Sequence, residues 1–138
     1  MADPRTATLA QILIHYSVAI QPGQTVAILG TPTAAPLIKE LYRSILQAGG
    51  HPYALTEIPD LREIALRAAT DAQLSHLSPF LDVMIDRCDS IINLIAPENT
   101  RALTGVDPAR LAFFQAAQTP LSARRIARLG DPRFHDVI

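Results

Sequence analysis

Apolar residues in this chain recur with two alternating periods, and the alternation predicts the fold. Leu9, Ile12, Leu13, Tyr16 and Ile20 recur at helical spacing behind Asp3, a capping residue, and Pro4, which suits a first helical position. Gln21-Pro22-Gly23-Gln24 is a turn. Thr25 to Gly30 is a near-continuous apolar run, the pattern of a strand covered on both faces in a parallel sheet. Helical spacing returns from about Thr33 to Ala48, with Leu37, Ile38, Leu41, Tyr42, Ile45 and Leu46 as its stripe. Gly49-Gly50 ends that helix, because glycine accepts a positive φ.

The order then repeats. His51 to Glu57 reads as a second strand, and a helical stretch runs from Pro59-Asp60 through Ala69. Thr70 followed by Gln73 is a capping box, and Ser78-Pro79 opens a helix through about Cys88. Ser90 to Ile95 reads as a third strand. Asp107-Pro108 and Thr119-Pro120 repeat the cap-then-proline start, with Thr33 a further cap, and Gly130 closes the last helix. Phe134 to Ile138 resembles the opening of a fourth strand with no polar tail after it, so the end reads as a cut. Strands alternating with amphipathic helices require crossover connections. The expectation is an α/β, three-layer domain over residues 1–138, with a mostly parallel sheet of three to four strands flanked by helices. Thr25 to Leu29 and Ser90 to Ile95, the most apolar runs, are expected at its centre.

Composition narrows the partners more than the chemistry. A chain of 138 residues suits one domain. A net charge of −1 gives no reason to expect nucleic acid or an anionic membrane. Met1-Ala2-Asp3-Pro4 lacks the basic and apolar runs of a signal peptide, and no apolar run is long enough to span a bilayer. Cys88 is the single cysteine, so no internal disulfide forms and a reducing, cytoplasmic compartment is expected. Lys39 is the only lysine among twelve basic side chains.

Tests for catalytic motifs return little. The loop Gly30-Thr31-Pro32-Thr33-Ala34-Ala35-Pro36 lacks the spacings of a phosphate loop, and its prolines remove backbone donors. His15, His51, His76 and His135 include no i, i+4 pair, and His135 beside Asp136 points to the opposite strand face. Cys88 reads as a buried structural thiol. Asp82 and Asp86 share a helix face, which is a weak metal site and by default a solvated one. Arg124, Arg125 and Arg128 gather at a helix C-terminus, where cations favour the dipole. No catalytic or metal residue is assigned. Ala96 to Gly105, after the third strand, is dense in hydrogen-bonding groups and reads equally as a ligand loop or a capped connection.

Three stretches resemble the N-terminal part of the thermophilic aminopeptidase family, metallopeptidases of the aminopeptidase T and aminopeptidase S type. They are Tyr16 to Ile28, Ala35 to Leu55 and Leu77 to Leu111, in order and across nearly the whole chain. Ala35 departs from the pattern, since the family often has an acidic residue before that proline. The resemblance implies a chain about one third of a full member. It implies an N-terminal, non-catalytic domain of a leucyl-type aminopeptidase that removes N-terminal residues from peptides. The metal ligands, for two divalent ions such as cobalt or zinc, belong to the C-terminal half of such enzymes, and no position here matches them. The implied partners are the missing C-terminal catalytic domain and, as a homodimer, a second subunit. Glu98, Asn99, Thr100 and Arg101 are the expected domain or subunit contact loop. The alternative reading is a stand-alone Rossmann-like or flavodoxin-like binding or scaffold module.

Overall fold

The computed structural model describes residues 4–12, 19–94, 105–130 and 135–137. The elements follow in the order α1 (Pro4–Ile12), β1 (Thr25–Gly30), a 3-10 turn (Pro32–Ala34), α2 (Ala35–Gln47), β2 (His51–Thr56), α3 (Leu61–Ala68) and α4 (Asp71–Leu74). Then come α5 (Pro79–Arg87), β3 (Ser90–Asn93), α6 (Pro108–Ala117), α7 (Thr119–Arg128) and β4 (His135–Val137). The four strands lie in the order β2-β1-β3-β4, and every pairing is parallel. The two most apolar runs are therefore the two central strands.

Alternation along β1 divides the core. Val26 and Ile28 point to one face, with Ile92 of β3, and meet Leu41 and Ile45 of α2 and Ala10 of α1. Ala27 points to the other face, with Ile91, and meets Met84 and Ile85 of α5 and Leu121 of α7. These are the three layers. A satellite cluster of Leu66, Leu74 and Val106 joins α3, α4 and the approach to α6. The start of the sheet is fixed from both sides of one residue. The Thr25 backbone N–H donates to Asp89 Oδ2 at 2.8 Å, and the Asp89 N–H donates to the Thr25 carbonyl at 2.8 Å.

Most local signals behave as their chemistry dictates. Thr70 Oγ1 accepts from the Gln73 N–H at 3.2 Å, and Gln73 Oε1 accepts from the Thr70 N–H at 2.8 Å, closing the capping box. Ser78 and Asp107 cap α5 and α6. Gly49 adopts φ +83°, and the N–H groups of Gly50 and Gly49 donate to the Ile45 and Leu46 carbonyls at 2.9 and 3.0 Å. That pair of bonds is a Schellman stop, and a side chain at Gly49 would strain it.

Six local expectations need correction. Thr33 caps nothing: the 3-10 turn absorbs it and α2 begins at Ala35. Thr119 is already helical, and Gln118 stands at the cap without a side-chain bond. Asp60 takes a left-handed φ of 75°, so α3 starts at Leu61 and stops at Ala68. The second strand ends at Thr56, one residue short of Glu57, and the third at Asn93, with Ile95 outside the described residues. Leu9, Tyr42 and Leu46 keep helical spacing and are nevertheless exposed, because each helix presents only part of its apolar arc to the sheet.

Ser90 is fully buried on the α1–α2 side of β3, and its hydroxyl has no hydrogen-bond partner among the described residues. Ser90→Ala is expected to leave stability unchanged or raise it by about 1 kcal/mol, since an unsatisfied buried hydroxyl disfavours folding. Ile92→Ala, two residues on along the same face, should cost about 2–5 kcal/mol. Urea titration of both variants checks the pair of signs, and native-state hydrogen exchange should be slowest at Val26–Ile28 and Ile91–Ile92.

Candidate functional site

A cleft of about 780 Å³ opens outside the carboxyl ends of β1, β2 and β3. In a sheet ordered β2-β1-β3-β4 the chain changes direction between β1 and β3, and that is where open α/β folds receive ligands. Strand ends supply Leu29, Leu55 and Asn93, α3 supplies Leu61 and Arg62, and α5 supplies Phe80 and Met84. Phe114 and Arg125 close the far side. The Arg62 guanidinium lies over the Phe114 ring, 5.8 Å from its centroid, which holds one charge against an apolar wall. The lining is mostly apolar, so the cleft suits an apolar surface better than a phosphate or a metal.

The charged residues singled out in the sequence come together elsewhere, on the outside of α5 and α7. Arg124 donates to both Asp82 and Asp86 in short ion pairs. The i, i+4 spacing that suggested a metal pair is what places two carboxylates under one planar guanidinium. A cation already occupies the position a metal would need. Arg128 was expected to serve the C-terminus of its own helix. It reaches instead across to α5, donating to the carbonyls of Ile85, of Asp86 at 2.8 Å and of Cys88 at 3.1 Å. Arg110 does the same for α3, donating to the Leu66 carbonyl at 2.7 Å and to that of Ala69. Both arginines satisfy helix-end carbonyls that otherwise lack partners.

Cys88 lies at the end of α5, 8% exposed. Burial pushes its thiol above the ordinary 9.0, Asp89 adds to the rise, and Arg128 opposes it. That is the reverse of what a nucleophilic cysteine needs. His51 and His76 are exposed and stand apart. His135 opens β4 opposite Ser90, and His15 lies outside the described residues. The expected contact loop, Glu98, Asn99, Thr100 and Arg101, also lies outside the described residues. Among the described residues no group of three or more His, Cys, Asp or Glu side chains could hold a metal ion. Among them, too, no helix is long and apolar enough to cross a membrane.

Sequence reasoning missed the apolar cleft. Its one signal was Phe80, an aromatic directly after the Ser78-Pro79 cap, where the first turn of an exposed helix is usually polar.

Comparison with known proteins agrees with this geometry. A family model described as thermophilic metalloprotease (M29) matches residues 2–133. Wild-type AmpT from Thermus thermophilus shares the fold, with a TM-score of 0.79 and 16% sequence identity. The alignment covers 96% of this chain and 35% of AmpT, so the chain spans about a third of that protein's length. An alcohol dehydrogenase superfamily protein from Novosphingobium aromaticivorans aligns over 96% of this chain and 51% of its own, at 15% identity and a TM-score of only 0.38. No curated protein matches the chain.

The environment of Cys88 sets an expected chemical behaviour. Alkylation by iodoacetamide in the folded protein should be slower at neutral pH than in the unfolded chain, and should still be rising with pH past 9.0, where an unperturbed thiol levels off. A folded-state pKa above the unfolded one means the thiol's contribution to stability is fully present below the unfolded value. It is lost as pH rises through the folded value. Rapid alkylation at neutral pH with the fold intact would contradict this environment.

Proposed function

The chain belongs to the thermophilic metalloprotease (M29) family, and on that premise we propose that it is the N-terminal, non-catalytic α/β domain of a metal-dependent aminopeptidase. The parent enzyme would remove N-terminal residues, leucyl in type, from peptides. It would use two divalent ions such as cobalt or zinc and work as a cytoplasmic homodimer. Glu98 to Arg101 would contact the catalytic domain or a second subunit.

The observation that carries the reading is the fate of the acidic residues. A metallopeptidase holds each ion with three or more side-chain ligands and keeps a position open for water. The nearest approach to such a set here is Asp82 with Asp86, and both carboxylates are turned to Arg124. The described residues therefore do not fit the metal that the family implies, and none of them polarises a peptide bond or activates water through it. What they do provide is a rigid sheet with one large apolar cleft, the equipment of a supporting domain. The chain's span of 35% of AmpT leaves the larger share of a full-length member to carry the chemistry.

Purified chain incubated with leucine p-nitroanilide should show the same rate with added cobalt or zinc as with a chelator. Titration calorimetry with either ion should show no stoichiometric binding. Metal-dependent turnover, or tight one-to-one binding, would refute a non-catalytic role.

A further inference from the structure

Parallel strands are almost always covered on both faces, because their crossover helices lie over the sheet. One strand here breaks that rule. On the side where α5 and α7 bury Ala27 and Ile91 of the central strands, no described helix buries the side chains of β2. Its side chains on that face are Tyr53 and Leu55, in register with Ala27 and Leu29 of β1, and they are 60% and 38% exposed. Leu55 runs directly into the apolar cleft, where Leu61 and Phe80 stand 50% and 76% exposed. Large apolar side chains on a strand face, a helix start and an aromatic rim thus form one continuous surface. An apolar patch of that kind marks an interaction site.

We infer that this surface is the seat of the rest of the peptidase, and that a helix of the catalytic part covers β2 there and inserts apolar side chains into the cleft. The inference rests on the proposed function and names the surface through which that function is exerted. Three observations point to this occupant. A three-layer sheet accepts a helix over each strand on either face, and among the described residues no helix lies over this face of β2. The chain spans 35% of the length of a protein with its fold, so in such a protein most of the mass lies outside this domain and is available to cover an open face. The free edge of β2 is weakened for pairing with another strand, since the N–H groups of His51 and Glu57 donate inward to the Gln24 and Gly30 carbonyls and the nitrogen of buried Pro52, on the edge, has no hydrogen to donate. The open face is the better-equipped surface. Arg62, at the rim of the cleft, favours a helix that carries a carboxylate beside its apolar stripe.

The test is a full-length chimera in which this chain replaces the matching part of AmpT. It is made with the native chain, with Tyr53→Glu/Phe80→Glu, and with Tyr42→Glu/Leu46→Glu on the exposed outer side of α2. The native chimera should hydrolyse leucine p-nitroanilide and unfold in one transition. Tyr53→Glu/Phe80→Glu should lower activity about tenfold or more and split unfolding in two, since it buries unpaired carboxylates at the contact. The α2 variant should behave like the native chimera. In the isolated chain both double variants should keep the native melting temperature. Equal behaviour of the two variant chimeras would overturn the inference and leave the proposed function standing. So would loss of the isolated fold in Tyr53→Glu/Phe80→Glu. Dimers of the isolated chain that the same variant dissociates would assign the face to a second copy and also overturn it. An inactive native chimera would overturn the proposed function itself.

Discussion

Everything in this chain depends on β1 being flanked on both edges. It pairs in parallel with β2 on one side and β3 on the other, so its side chains can only go up or down into protein. Val26 and Ile28 demand a helix layer on one face, and Ala27 demands one on the other. The α1–α2 pair supplies the first layer and α5–α7 the second. The same constraint relaxes toward the edge, and β2, with one neighbour, is the strand whose second face is left open.

The second layer is held by its buried apolar cluster, and arginines add polar ties around it. Arg124 joins α7 to α5 through two carboxylates, Arg128 reaches three carbonyls at the end of α5, and Arg110 ties α6 to the end of α3. A guanidinium suits this role because its fixed fork of donors can serve several acceptors at once, where an ammonium is a point charge. The predominance of arginine over lysine, uninformative in the composition, here has a structural use. It also explains why clustered charge in this chain is not a catalytic signal: the charges are neutralised by one another and by helix ends.

The M29 match covers residues 2–133, and the reactive side chains among the described residues are engaged with one another or stand apart. Buried Cys88 is pushed toward its neutral thiol, the described histidines stand apart, and the acidic pair is committed to Arg124. An apolar cleft of about 780 Å³ sits where α/β folds place their working surface.

The sequence alone determined what is local. Apolar runs marked β1 and β3 as central, because only a strand covered on both faces can lack polar positions. The Thr70–Gln73 box, the Ser78 and Asp107 caps and the Gly49 stop each depend on residues two to five apart, so they were legible without a fold. Caps failed at Thr33 and Thr119, where the neighbouring turn rather than the side chain chose the helix start. Tertiary structure decided everything that joins distant segments. Asp82 and Asp86 could be read as ligands until Arg124, 38 residues beyond Asp86, arrived over them. Leu55, Leu61 and Phe80 form one exposed apolar surface because the sheet order puts β2 at an edge with no described helix above that face. Hydrophobic period states that a side chain prefers to be buried, whereas what will bury it depends on which strands become neighbours.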